Sequence, residues 1–246
     1  IMQEQLDVAK EIQEGLNPMA YYQNRGIQIK GYTRAAKGVG GDYFDYIEIG
    51  EDRVGALISD VSGKGIPASL VMVMIRTVFV SSLRQDPRKI QCSKIVSAIN
   101  ASLSADFAID KFATLFFMIY DKERETISFS NAGHGPLFCY RADRNICTVT
   151  KLEGVPIGIM EDSEYTQAEV PFGIGDIIVL NTDGVTEMRN DQKEEYGRSR
   201  VQKFLLKNHD LSADEIVTKL VEDVDTFQGN APQHDDMTLL VMKRIG

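Results

Sequence analysis

The segment IPASLVMVMIRTVFVSSL, residues 66–83, constrains the fold of this 246-residue chain more than any other stretch. It is apolar nearly all round, and Pro67 stands in the first turn, where a helix tolerates proline. A helix with no polar face to give to water is expected to be buried. Strand-like runs precede it at about 27–35, 43–49 and 53–59. More follow it at about 112–120, 125–130, 136–140, 146–152, 164–170 and 176–181, with a last strand from Met237 to about Lys243. A second helix is expected at about 93–105, with Ile95, Val96, Ile99 and Leu103 on one face. Two more are expected at about 197–207 and 212–227. The latter opens on the capping-box pattern Ser212-Ala-Asp-Glu215. This order is not a repeating βαβ, so a parallel sheet is disfavoured. An α/β chain of antiparallel sheets with helices on their outer faces fits better.

The beginning of the chain reads differently. Residues 1 to about 16 have the period of a helix, closed by Pro18. Met2, Ala9, Ile12 and Leu16 form an a/d stripe, with Gln5 as the exception. Residues 1–20 are therefore separated as a linker or regulatory helix, and residues 21–246 as one domain. Such a stripe needs a partner, and a homodimer through this helix is one. The chain opens on Ile1 rather than an initiator Met, as a piece of a longer protein would.

Composition removes several function classes. A net charge of −9 argues against a nucleic-acid partner. The longest apolar run is too short to span a bilayer, so no membrane role is expected for this segment. Cys92, Cys139 and Cys147 are odd in number and lack metal-ligand spacing. They read as buried thiols in a reducing compartment, hence a cytoplasmic protein.

The chemistry is expected where acids interrupt strand-like runs. Asp42 follows Gly40-Gly41 at a strand start, inside the run VGGDYFDY. Asp60 ends RVGALISD, Asp183 ends DIIVLNTD, and Asp235 and Asp236 stand before the last strand. One such Asp is normally a turn former or a cap. Four such sites, brought to one end of the sheets, would repel one another without a counter-charge. All-oxygen donors suit a hard cation, Mg²⁺ or Mn²⁺, better than zinc, since His134, His209 and His234 are scattered. Two such ions about 3.5–4 Å apart could hold a hydroxide for in-line attack on phosphorus. Gly63-Lys64-Gly65 lacks the upstream Gly and the following Ser/Thr of a phosphate-binding P-loop.

The runs VGGDYFDY, SDVSGKGIPASL, FATLFFMIYD, FSNAGHGPL, GVPIGI, LNTDGVTEMRN and HDDMTLLVMKR occur in this order. Together they resemble the bacterial metal-dependent protein phosphatases of the PPM (type 2C-like) superfamily, in the SpoIIE/RsbU-like branch. The resemblance extends from about residue 5 to 244. It implies a PPM-type antiparallel β-sandwich of two sheets flanked by α-helices. It also implies hydrolysis of phosphoserine or phosphothreonine on a protein with two or more Mn²⁺ or Mg²⁺ ions. By the motifs, Asp60 is the bridging ligand and the Val61 carbonyl joins it. Asp42, Asp183 and Asp235 or Asp236 supply the other carboxylates, with Asp235 favoured. Asp45 is expected to stand behind the site or at the surface. Relatives act on phosphorylated anti-sigma-factor antagonists of the STAS type, in sigma-factor signalling, and often join an upstream sensor to the N-terminal helix.

The sequence departs from better-known type 2C phosphatases at two points. Ser62 stands where many carry His two positions after the bridging Asp, and the phosphate-binding Arg has no match beyond the nearby Arg34 and Lys37. His134, in NAGHG, with Ser130 and Asn131, reads as a structural turn or core group. Two other functions compete with this reading. One is a pseudophosphatase that binds a phosphoprotein without cleaving it. The other is a diguanylate cyclase, whose signature differs from Gly-Gly-Asp-Tyr-Phe at one letter; Tyr43 could not bind metal there, and Asp60, Asp183 and Asp235 would go unexplained.

Overall fold

Alternating strand-formers produce two antiparallel sheets, each with its own helices, in the computed structural model, which describes residues 2–18, 20–106, 111–150 and 153–246. The first unit contains α1 (Met2–Glu14), β3 (Tyr43–Ile49), β4 (Arg53–Val61), α2 (Ile66–Ser82) and α3 (Cys92–Asp106). It also contains β5 (Ala113–Asp121), β6 (Thr126–Ala132) and β9 (Ala168–Pro171), and its sheet runs β3-β4-β5-β6-β9. The second unit contains β1 (Tyr22–Asn24), β2 (Ile27–Arg34), β7 (Leu137–Arg141), β8 (Ile146–Thr150) and β10 (Ile177–Asn181). With these go α4 (Asp183–Thr186), α5 (Gly197–Asn208), α6 (Ala213–Gln228) and β11 (Met237–Arg244). Its sheet runs β1-β2-β11-β10-β7-β8.

Most expected elements stand within a residue or two of their expected bounds. The strand expected at 164–170 is confined to Ala168–Pro171, and that expected at 146–152 runs Ile146–Thr150, with 151 and 152 outside the described residues. The first position of the N-terminal helix also lies outside them. In the central strands, residues on both faces are buried: all of β10, and six successive residues in β4 and in β11. These strands therefore read as continuous apolar runs rather than as clean alternation.

In the first unit, Val71, Met72, Ile75 and Phe79 of α2 pack with Ile95, Val96 and Ile99 of α3 and with Leu57, Leu115 and Phe117 of the sheet. Phe79 meets Phe117 edge to face at 5.2 Å between centroids. The expectation that α2 is buried all round is not met. Ile66, Leu70, Val73 and Met74 are exposed, Leu70 by 61%. In the second unit, Ile216, Leu220 and Val224 of α6 and Val201 and Leu205 of α5 pack with Val179, Leu239 and Val241. The capping box of α6 is formed: Ser212 Oγ accepts the Glu215 N–H at 3.3 Å, and Glu215 accepts the Ser212 N–H at 2.9 Å. No helix among the described residues is long and apolar enough to cross a membrane.

Asp176 is the structural acid of the second unit, 4% exposed. Its carboxylate accepts the Gly173 and Ala142 N–H groups at 2.8 and 2.9 Å and the Arg141 guanidinium at 2.7 Å. Asp176→Ala would leave these donors unpaired, two of them backbone. It should cost about 3 kcal/mol of stability, read as a lower urea midpoint with an unchanged slope.

Candidate active site

Each acid singled out in the sequence falls at the end of a strand. The first pair is set by the β3–β4 register, which places Tyr43 opposite Ser59. One step further, Asp42 comes opposite Asp60 and Gly41 opposite Val61. Gly41 confirms this: a Cβ there would stand 3.0 Å from the Val61 carbonyl oxygen, 3.1 Å from its Cβ and 3.0 Å from the Ala68 Cβ. The glycine before Asp42 lets the two backbones lie flat together and keeps the Val61 carbonyl uncrowded. Asp42 is 4% exposed and Asp60 is half-buried. Tyr43 and Phe44, both fully buried, anchor the strand that carries Asp42. A carboxylate buried as deeply as Asp42 persists as a charge only with strong compensation.

Asp45 has a separate role. It accepts the Tyr43 hydroxyl at 2.5 Å and the Tyr46 N–H at 2.8 Å. Burial raises its pKa, although both hydrogen bonds oppose the shift. The same burial, with Asp45 adjacent, pushes the Tyr46 phenol up to about 12.

The second group is built on β10 and β11. Beyond the last strand pair the chains stay linked: the Thr182 N–H donates to the Thr238 carbonyl at 3.1 Å, and the Thr238 N–H to Thr182 Oγ1 at 3.0 Å. Asp183 is exposed and begins the short helix α4 rather than a plain turn. A Cβ on the next residue, Gly184, would overlap the Asp236 carbonyl. Only glycine lets α4 start against the backbone that carries Asp235 and Asp236. These two acids differ. Asp236 is 5% exposed and its Oδ1 accepts the Ala36 N–H at 2.7 Å, fastening the chain just past β2. Asp235 is half-buried, and its Oδ1 accepts the Asp236 N–H at 2.9 Å.

Some residues set near the site are engaged elsewhere. Arg34 is bound by Asp225 at 2.7 and 3.1 Å and by Gln233 at 2.7 Å, so it is a structural ion pair. His134 is 3% exposed; its N–H donates to Asn131 Oδ1 at 3.1 Å, and its Nδ1 lies 2.9 Å from Thr114 Oγ1. The turn reading of NAGHG therefore holds, with one addition that the motif did not show. Thr114 is the register partner of Asp60, so His134 buttresses the strand beside it. All three cysteines are free and buried. Burial raises each thiol pKa, that of Cys147 to about 12, so none is a ready thiolate nucleophile. No group of three or more His, Cys, Asp or Glu among the described residues forms a ready metal cluster. The donors present, paired carboxylates beside a backbone carbonyl, nonetheless suit a hard divalent ion.

Antiparallel sheets flanked by helices, with acids at their strand ends, define a PP2C-type phosphatase domain. Residues 50–245 match the family described as Stage II sporulation protein E (SpoIIE). The chain is 30% identical over 240 residues to "Phosphoserine phosphatase RsbU" of Bacillus subtilis (strain 168), covering 98% of this chain and 70% of that protein. Of two further relatives it spans only 41% and 45%. Its fold matches the SiaA-PP2C domain of Pseudomonas aeruginosa with a TM-score of 0.83 at 21% identity, over 100% of this chain and 97% of that one. It also matches RsbX in complex with magnesium, with a TM-score of 0.68 at 15% identity, over 92% and 100%. The chain belongs to the SpoIIE family, within the PPM class of serine/threonine protein phosphatases.

The close approach at Gly184 can be tested against a control. A Cβ at Gly38 would meet nothing within 4 Å. Gly184→Ala should therefore lower stability by about 2 kcal/mol or more while Gly38→Ala stays within about 0.5 kcal/mol, in parallel thermal melts.

Proposed function

We propose that the chain hydrolyses phosphoserine or phosphothreonine on an anti-sigma-factor antagonist of the STAS type, with two or more Mn²⁺ or Mg²⁺ ions and water as the attacking group. The observation that carries the reading is the register that sets Asp42 opposite Asp60, with Gly41 flat on Val61. In the first unit Asp42, Asp60 and the Val61 carbonyl are the ligands. In the second they are Asp183 and Asp235. Asp236 ranks behind Asp235 because it is buried and its carboxylate holds the N–H of the distant Ala36, whereas Asp235 is half-buried and holds only the N–H of its neighbour. Family membership and the magnesium in the RsbX structure support the metal dependence. When bound, such ions supply the positive charge that acidifies a water and offsets charge on the phosphoryl oxygens. The chain's own contribution is rigidity: buried aromatics fix β3, and glycines set the backbone spacing. The absence of a ready thiolate argues for direct attack by water. The presence of all the acids of the set argues against a pseudophosphatase.

Activity on a phosphoserine peptide should be abolished by EDTA and restored by Mn²⁺ more than by Zn²⁺. Asp60→Asn should lose about 100-fold or more, because Asp60 would hold the ions together with the Val61 carbonyl and an amide is a weaker ligand than a carboxylate. Full turnover by that variant in EDTA would refute the mechanism.

The N-terminal helix is proposed as the control element, able to pair two copies and to connect a sensor domain. Val8 and Ile12, one turn apart on α1, are 56% and 63% exposed. The end of the helix is fixed to the site strand. Gln13 Nε2 donates to the Gly40 carbonyl at 2.7 Å, and the Gly40 N–H donates back to Gln13 Oε1 at 3.0 Å. Arg76 of α2 donates to the Leu16 carbonyl at 3.2 Å. A shift of α1 is thereby felt two residues before Asp42. Replacing Val8 and Ile12 with Asp should weaken self-association in sedimentation. Gln13→Ala should lower Mn²⁺ affinity by about tenfold, as loss of a supporting hydrogen bond does at other metal sites. No change in either would reduce α1 to packing.

A further inference from the structure

The β4–β5 pairing continues past the strand ends. Asp60 pairs with Thr114 and Val61 with Ala113. One step on, the Ser62 N–H donates to the Phe112 carbonyl at 2.8 Å, and the Phe112 N–H donates to Ser62 Oγ at 3.0 Å. The next pair in the series is Gly63 with Lys111. Gly63 has a φ of +90° and no side chain, and the Lys111 ammonium occupies the space that a Cβ at Gly63 would fill. A half-buried cation is thus laid over the loop that follows Asp60. No acceptor among the described residues takes up its protons. In a chain of net charge −9, a cation placed against a glycine, with no carboxylate partner among the described residues, needs an explanation.

The phosphate offers one. A phosphomonoester dianion entering a carboxylate-rich strand end needs positive charge beyond that of the ions. Arg34, the arginine nearest that role in the sequence, is held by Asp225 and Gln233. We propose that Lys111 binds the phosphoryl oxygens of the substrate, with Gly63 keeping the space it reaches through. This rests on the phosphatase reading above. A lysine serves there as a point charge with three donors on a flexible stem, able to follow the phosphate as it becomes inorganic phosphate. The same lysine would be a poor metal site component, since an ammonium and a divalent ion repel.

The test uses Lys111→Met in the 246-residue chain, with two readouts. In Mn²⁺-dependent turnover of a phosphoserine peptide, KM should rise about tenfold, the loss of one charge-assisted hydrogen bond, with a smaller change in kcat. In calorimetry, the Kd for inorganic phosphate on the Mn²⁺-loaded protein should rise by a similar factor, while Mn²⁺ affinity stays within about twofold. Lys111→Arg should recover part of both. Unchanged KM and phosphate affinity would overturn the proposal. So would a change in Mn²⁺ affinity without one in phosphate affinity, which would make Lys111 a counter-charge for Asp60. If the parent chain has no Mn²⁺-dependent turnover, the phosphatase reading fails; equal phosphate binding by parent and Lys111→Met would then overturn the lysine's role as well.

Discussion

The close approach of Gly41 to the Val61 carbonyl governs the first unit. It fixes which residues of β3 and β4 stand opposite, and that register alone puts Asp42 and Asp60 side by side. In a strand pair with period two, a slip of one residue would turn the acid of the slipped strand to the other face, away from its partner. The buried Tyr43 and Phe44 oppose such a slip on one side, and the tight Gly41 contact opposes it on the other. The second unit uses the same device: Gly184 against the Asp236 carbonyl sets where α4 begins and hence where Asp183 stands. Both sites are positioned by the absence of a side chain next to the acid.

The acids could be read from the sequence because each stands at one end of an apolar, strand-like run, with glycine beside Asp42 and Asp183. The strands were legible for the same reason, and so was the Ser212–Glu215 cap, a purely local feature. What could not be read is instructive. The three residues of β1 are too few to show a period. In α2 the apolar composition was plain, but nothing local distinguishes Val71 and Ile75, which face the sheet, from Leu70 and Met74, which face outward. The role of Lys111 depends on pairing between segments about fifty residues apart. Once β4 and β5 are aligned at Asp60 and Thr114, the partner of Gly63 follows by counting. Gln13 carries no local signal, because a polar residue on a helix usually faces water.

The two aspartates before β11 show how adjacent identical residues divide labour. Asp236 is buried and holds the N–H of Ala36, some two hundred residues away, whereas Asp235 is half-buried and holds only the N–H of its neighbour. A motif gives both the same letter, and only their hydrogen bonds separate them. His134 is similar: its motif marks a turn, and its imidazole supports Thr114, the neighbour of Asp60 in the sheet.

The amide of Gly40 hydrogen-bonds to a side chain of α1 and to no strand partner. Its exchange with deuterated solvent is therefore gated by the seating of that helix alone. β3 is an edge strand, so only the alternate amides that point to β4 wait on the parting of the two strands, while the Phe44 and Tyr46 N–H groups bond to the Asn17 and Asp45 side chains. One resonance in a nuclear magnetic resonance spectrum would thus act as a gauge, reporting how often α1 lifts from the strand that carries Asp42, with no substrate, metal or partner added.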